Sequence, residues 1–126
     1  MNNLTYEDFF FLPENKEEPL FLLTLYNNTI QQNFNLSDIQ KLKELISSSD
    51  YNLWLEIQGA TDKKTIEEIG NLFNLDYLTQ QDILNLEHPT KIETRENYVL
   101  LISKIFAFHN HNTLHQEQLT IICGEH

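Results

Sequence analysis

The stretch Tyr98–Phe108, YVLLISKIFAF, is a long run of β-branched and aromatic residues in which Lys104 is the one charge. Such a composition is typical of a strand. The polar stretch His109–His115 predicts a hairpin connection, and Gln116–Cys123 is the expected partner strand. Just upstream, Lys91–Arg95 alternates weakly and predicts one more strand. This part of the chain is therefore expected to be β-structure.

Two segments before this region repeat apolar residues at the spacing of a helix. These residues are Ile39, Leu42, Leu45 and Ile46 in the first segment, and Ile66, Ile69, Leu72 and Phe73 in the second. Ser37 and Thr61 precede these two segments and are the expected N-caps, because their side-chain oxygens can accept hydrogen bonds from the unpaired N–H groups of a first turn. A third, short helix is expected over Tyr77–Leu86, before the break at His88 and Pro89.

The first half of the chain contains further strand signals. Leu20–Tyr26 is an apolar run of strand length, and Asn27 with Asn28 suits a tight turn that returns as Thr29–Phe34. Tyr51–Ile57 alternates along its length and predicts another strand.

The expected order of elements is strand, strand, helix, strand, helix, helix and then three strands. A mixed β-sheet with helices packed on its faces is the simplest way to bury their apolar faces, which predicts an α/β (α+β) fold. Prolines at positions 13 and 19 make residues 1–19 an extended N-terminal segment, and residues 20–126 are the α/β domain. The chain is expected to be a fragment of a longer protein, because Gly124–His126 follows an apolar strand directly.

Composition argues against several classes of protein. The chain has 126 residues, with 19 acidic against 8 basic side chains and a formal net charge of −11. This balance disfavours a binder of nucleic acid or of anionic membranes, because both need Lys and Arg. No signal peptide and no apolar run of about 20 residues is visible, so a soluble intracellular domain is expected. Cys123 lies in an apolar strand, which predicts a buried structural thiol rather than a nucleophile.

No catalytic signature is visible in the sequence, which has three glycines, no phosphate-binding glycine loop and no Gly-x-Ser-x-Gly elbow. His109 and His111 would point the same way on a strand, and His115 follows them. A polar hairpin tip explains these residues more simply than a zinc site, which needs four ligands. Zinc binding stays the alternative, and His126 is open to interpretation as part of an expression tag.

Asp82 is the acidic residue with the most suggestive neighbours. Gln80, Gln81 and Asn85 surround it in the expected third helix and also carry hard oxygen atoms. Mg²⁺ prefers oxygen ligands, keeps most of its waters and needs only one or two protein carboxylates. From spacing alone, a surface aspartate is the more frequent explanation, and a divalent-cation ligand is the alternative.

The order and spacing of several segments resemble the N-terminal cytoplasmic domain of the CorA family of magnesium and cobalt transporters. The matching segments are Trp54 in its strand, Ile69–Leu75, Asp82–Asn85, Lys91–Glu93, Glu96–Val99, the strand that contains Lys104, and Glu117–Leu119. The resemblance covers residues 50–126, and the part before them fits the family's variable opening only loosely.

The resemblance implies a homopentamer whose subunits continue into a long helix and two C-terminal transmembrane helices, with a Gly-Met-Asn motif at the pore. It places this domain at the cytoplasmic face of the cell (inner) membrane, to which only those helices would attach it. Mg²⁺ bound between neighbouring domains is implied to favour the closed channel. Asp82 matches the sensing aspartate, whose partner lies on the adjacent subunit's long helix. Gln81 stands where the family often has a second carboxylate, so it is a weaker, uncharged ligand, and Glu87 extends the same acidic edge.

The leading hypothesis is a regulatory domain of a CorA-like transporter of Mg²⁺ or Co²⁺, not an enzyme. Mg²⁺ is its regulatory ligand, and its partners are identical subunits and divalent cations. The isolated chain is expected to bind Mg²⁺ weakly or not at all, because the second ligand belongs to another subunit. The alternatives are the zinc-transporting branch of the superfamily, a stand-alone cytosolic binding domain, and a small hydrolase with paired carboxylates.

Overall fold

The computed structural model describes residues 19–48, 50–59 and 62–125, except for the side chain of His109. Residues 1–18 of the expected extended segment, together with Thr61 and His126, lie outside the described residues. The chain divides into two compact units, one that ends at Thr61 and one that begins at Asp62. Within the described residues, each unit contains one sheet.

The described residues of the first unit form a three-stranded antiparallel sheet with one helix. Its elements are β1 (Leu20–Tyr26), β2 (Gln31–Leu36), α1 (Ile39–Ser47) and β3 (Asn52–Gln58). β1 lies between β2 and β3 and pairs with both. The expected hairpin is confirmed: the Asn27 side chain accepts hydrogen bonds from the backbone N–H groups of Thr29 (2.9 Å) and Ile30 (2.8 Å), which close the turn.

One face of this sheet is apolar because the side chains of β1 alternate between its two faces. Phe21, Leu23 and Leu25 point to the same face and are at most 4% exposed. The helix α1 packs against β1 and β2, and its Leu42 is fully buried. Burying each such side chain stabilises the fold by about 1.5–3 kcal/mol.

Both expected helix caps lie one residue further along the chain. The N-cap of α1 is Asp38, whose side chain accepts a hydrogen bond from the backbone N–H two residues on, at 2.9 Å. The next helix has Asp62 as its N-cap, which accepts from the N–H three residues on, at 2.9 Å. The predictions of Ser37 and Thr61 were wrong because aspartate caps a helix at least as well, and here it follows each of them directly.

The second unit has two helices and a second antiparallel sheet. Its elements are α2 (Lys63–Leu72), α3 (Tyr77–Leu84), β4 (Lys91–Thr94), β5 (Tyr98–His109) and β6 (Thr113–Gly124), and the strand order is β4-β5-β6. The β5–β6 hairpin is confirmed, and its connection is only residues 110–112. Asn110 and His111 have φ angles of 52° and 64°, the left-handed conformation that allows so short a turn.

The core of the second unit lies on one face of its sheet. Leu75, Tyr98, Leu100 and Ile102 form a buried cluster, against which Phe73, Ile83 and Ile122 pack. Ile83 belongs to α3, and Leu75 directly precedes the N-cap of that helix, Asp76. This cluster therefore holds α3 against the sheet.

The α+β fold class is confirmed, and the described elements follow the expected order. Where one mixed sheet was expected, the described strands form two antiparallel sheets of three strands each. Each sheet is a hairpin plus one more strand: β3 joins β1, and β4 joins β5. Among the described residues, no helix has the length and apolarity to cross a bilayer, and the longest has ten residues.

Cys123 is exposed, so the prediction of a buried thiol was wrong. Its partner in the β5–β6 pair is Val99, which is 41% exposed. The neighbouring pair, Leu100 and Ile122, faces the buried cluster instead. An apolar strand does not by itself bury each of its side chains, because successive residues point to opposite faces.

Candidate functional site

The N-terminal end of α3 is fixed to β5 by the hydroxyl of Tyr98. This oxygen lies 2.7 Å from Thr79 Oγ1, which is fully buried, and accepts a hydrogen bond from the backbone N–H of Asp76 at 3.2 Å. Asp76 is the N-cap of α3, and its carboxylate accepts from the N–H of Thr79 at 2.8 Å. That bond lowers the pKa of Asp76, since a hydrogen bond to the charged form favours it.

The helix α3 also packs closely on α2, because Gly70 leaves space for the side chain of Gln80. A methyl group at Gly70 would overlap that side chain. Gln80 is buried, and its Nε2 donates a hydrogen bond to the backbone oxygen of Leu75 at 3.0 Å. The amide thus satisfies a carbonyl in the connection between the two helices.

The C-terminal end of α3 is held by the β5–β6 hairpin. Nε2 of Gln118 donates to the backbone oxygens of Asp82 (3.4 Å) and Ile83 (3.3 Å). Nζ of Lys104 donates to the backbone oxygen of Leu86 at 3.2 Å. The Gln118 bonds reach carbonyl groups in the last turn of α3, and the charge of Lys104 suits the negative end of the helix dipole.

The carboxylate of Asp82 has a partner on each of its oxygens. Nζ of Lys91 lies 2.5 Å from Oδ2, and Nε2 of His88 lies 3.2 Å from Oδ1. The other ring nitrogen of His88, Nδ1, lies 2.8 Å from the backbone oxygen of Pro89. The Asp82 side chain keeps 20% of its surface exposed, so it remains reachable from solvent.

Asp82 is one end of a line of alternating charges along β4, which we call the charged row. Its members are Asp82, Lys91, Glu93, Arg95 and Asp76. Nζ of Lys91 lies 2.9 Å from Glu93 Oε1, Nη2 of Arg95 lies 2.6 Å from Glu93 Oε2, and Nε of Arg95 lies 3.8 Å from Asp76 Oδ2. The aspartates at the two ends of α3 therefore meet the basic residues of β4 and of the turn that follows it.

The hydrogen bonds that Lys91 donates to Asp82, and secondarily to Glu93, raise the pKa of its ammonium. The row contains three carboxylates and two basic side chains, so most of its charge is neutralised within the chain. Charged side chains that point to the inner face of an edge strand are also a known way of preventing further strands from pairing there.

Gln81 and Glu87 do not provide the contacts that hold the Asp82 carboxylate. Gln81 is half-buried in α3, where its backbone oxygen accepts from the N–H of Asn85 at 3.1 Å. Glu87 is exposed after the helix, and its N–H donates to the Asn85 side chain at 3.1 Å. The roles of Asp82, Gln81 and Glu87 as cation ligands stay predictions.

Two of the histidines that were considered for zinc, His111 and His115, lie on different elements. His111 lies in the turn after β5, so the strand alternation that would align it with His109 does not apply. His115 is half-buried in β6. Within the part of the chain that the structure describes, no three His, Cys, Asp or Glu side chains are grouped so that they could hold one metal ion.

Sequence reasoning missed the partners of Asp82, although part of the signal was present. Lys91, Glu93 and Arg95 are two residues apart, which places three alternating charges on one face of a strand. The same face of the sheet carries the buried residues of β5. The charges of β4 therefore needed a charged partner from another element. The sequence did not show that α3 would run beside this strand.

The second unit thus presents an α+β scaffold in which the partly exposed carboxylate of Asp82 is held in an ion-pair network. No protein-family model matches the chain. The cobalt/magnesium transport protein CorA of Thermotoga maritima is 29% identical to it over 105 residues. The alignment covers 81% of this chain and 30% of that protein, so the chain spans about 30% of the length of this relative. This similarity supports the CorA-family relationship that the sequence motifs indicated.

Proposed function

We propose that the chain is the cytoplasmic regulatory part of a CorA-like transporter of Mg²⁺ or Co²⁺. The observation that carries this proposal is the similarity to a cobalt/magnesium transport protein over 81% of the chain. That relative is a transport protein by name, which supports a role other than catalysis. Identical subunits, arranged as a homopentamer, are the proposed partners, and nucleic acid is not among them.

Asp82 is the proposed cation ligand, and its surroundings favour that role. Its carboxylate is partly exposed, while Gln118 and Lys104 fix the end of α3 on which it stands. Mg²⁺ keeps most of its water shell and is held by few carboxylates, so one from this chain and one from a neighbouring subunit would suffice. Gln81 can add an uncharged oxygen.

The regulation would be a shift of population between two channel states. An ion that bridges two subunits in one state only lowers the free energy of that state, by the difference between its two binding free energies. The net charge of −11 raises the cation concentration around the domain and so favours occupancy.

The gene around these codons tests the transporter part of the proposal. We expect the reading frame to continue into a long charged helix and two apolar spans of about 20 residues each, with a Gly-Met-Asn motif between them. A reading frame without such spans would rule out the transporter.

The cation site is tested on the complete transporter in liposomes. Cation uptake is measured while the Mg²⁺ concentration is raised on the side that carries this domain. We expect Asp82→Asn to raise the inhibitory Mg²⁺ concentration about tenfold, because a lost ligand worth about 1.4 kcal/mol changes affinity by that factor. The matched control is Glu44→Gln, which removes one exposed carboxylate from α1. Equal midpoints for the two variants would contradict the assignment of Asp82.

A further inference from the structure

The Asp82 carboxylate is already bound by a cation of its own chain. Lys91 places an ammonium 2.5 Å from Oδ2, and His88 occupies the side of Oδ1 at 3.2 Å. Mg²⁺ binds carboxylate oxygen at about 2.1 Å and needs a lone pair that points at it. An ammonium and a divalent ion on the same oxygen would repel each other strongly, so they compete for Asp82.

Lys91 has a second acceptor to which it can withdraw. Glu93 Oε1 lies 2.9 Å from the same ammonium, while Arg95 binds the other oxygen of Glu93 at 2.6 Å. If Lys91 leaves Asp82, its charge therefore stays paired within the charged row. Its four-carbon stem has enough rotatable bonds for such a movement without a change in the backbone.

We propose that Lys91 is a built-in competitor at Asp82, which must withdraw to Glu93 before a divalent cation binds the carboxylate. Lys91 thereby sets the cation concentration to which the site responds. This inference rests on the proposed function, since it adds a regulatory residue to the same site.

The closing experiment titrates the 126-residue chain with MgCl₂ at constant ionic strength and follows the backbone amide signal of Asp82 by NMR. This method measures weak binding, which is what one subunit's half of a site should show. We expect Lys91→Met, which keeps most of the apolar stem, to lower the Mg²⁺ midpoint about tenfold. Lys91→Gln is the second variant, and it is expected to act in the same direction if the first does not fold.

Lys63→Met is the matched control, because it removes the same charge from the same unit. The Lys63 side chain is 68% exposed on α2, and its Nζ lies 3.6 Å from Glu67 Oε1 rather than against the Asp82 carboxylate. We expect its midpoint to stay within about twofold of the wild type, since it changes only the general potential. Equal shifts in the Lys91 and Lys63 variants, or no shift with Lys91→Met, would overturn the competition.

Asp82→Asn, alone and combined with Lys91→Met, distinguishes a failure of the cation site at Asp82 from a failure of the competition by Lys91. If Asp82→Asn abolishes binding while Lys91→Met leaves the midpoint unchanged, the cation site at Asp82 is supported and the competition by Lys91 is contradicted. If the double variant binds as well as Lys91→Met, the ion lies elsewhere and both fail. Absence of binding in every variant, Lys91→Met included, would overturn the role of Lys91, because removal of a competitor should make binding by this half of the site measurable; a cation site completed by a second subunit is compatible with that result. In the wild type, the Nζ signal of Lys91 should move with the same midpoint as the amide of Asp82, and a stationary Nζ signal would contradict withdrawal.

Discussion

The hydroxyl of Tyr98 fixes the position of the start of α3. It bonds the buried Thr79 hydroxyl at 2.7 Å and the N–H of Asp76 at 3.2 Å, while the ring belongs to the buried cluster. One oxygen thus joins the start of α3 to β5. Since buried polar groups without partners are costly, its removal affects Thr79 as well as Tyr98.

Tyr98→Phe is expected to lower the free energy of unfolding by about 1–2 kcal/mol, because it leaves a buried hydroxyl and an N–H without their partner. Urea denaturation followed by circular dichroism measures this loss. Tyr77→Phe is the matched control: Tyr77 is 66% exposed at the start of α3, and its variant should stay within about 0.5 kcal/mol of the wild type. Equal stabilities of the two variants would show that the Tyr98 hydroxyl contributes nothing.

Gly70→Ala is expected to destabilise the chain although alanine favours a helix by about 1 kcal/mol. The added methyl group would overlap the Gln80 side chain, and overpacking of this kind costs about 1–3 kcal/mol. A double-mutant cycle with Gln80→Ala identifies the cause. Gly70→Ala should be neutral or stabilising in the Gln80→Ala background, and an unchanged cost there would contradict the overlap.

Among the elements, each of the three described helices begins at an aspartate N-cap: Asp38, Asp62 and Asp76. Periodicity predicted where the helices lie, whereas the choice between neighbouring capping residues depends on backbone geometry that the sequence does not fix. The partner of a capping carboxylate is local, so it is found within three residues. The partners of Asp82 come from another element, which explains why the caps could nearly be predicted and the charged row could not.

Acid is expected to weaken the capping of α3. The hydrogen bond from the N–H of Thr79 lowers the pKa of Asp76, and the Tyr98 hydroxyl and Arg95 act in the same direction. Because the pKa is lower in the folded state, this contribution is complete above the unfolded-state pKa of about 4 and is lost as the pH falls through the folded-state pKa. Asp62 behaves likewise through its bond from Thr65.

Asp76→Asn tests this prediction, because asparagine caps a helix without titrating. Its unfolding free energy at pH 7 should lie within about 1 kcal/mol of the wild type, and it should fall less between pH 5 and pH 2. Denaturation curves over this pH range provide the measurement. A variant that loses as much stability in acid as the wild type would show that Asp76 does not contribute.

At the scale of the whole chain, the sequence predicted the order of the elements but not their division into two sheets. The apolar runs of β1 and β5 identify these strands. Both turn out to be central strands with a partner on each side. Which edge a later strand joins is decided by pairing and register between distant segments, and periodicity within one segment carries no information on that choice.

The net charge of −11 should make the stability of the chain depend on salt. Repulsion among the surplus carboxylates opposes the compact state and is screened at higher ionic strength. Salt also weakens the ion pairs of the charged row, but partly exposed pairs contribute only about 0–1 kcal/mol each. We expect repulsion to dominate, so that the thermal midpoint rises by a few degrees between about 0.02 and 0.3 M NaCl at pH 7. Glu44→Lys makes the net charge two units less negative and should reduce this rise, whereas a midpoint that falls with salt would mean that the charged row outweighs the repulsion.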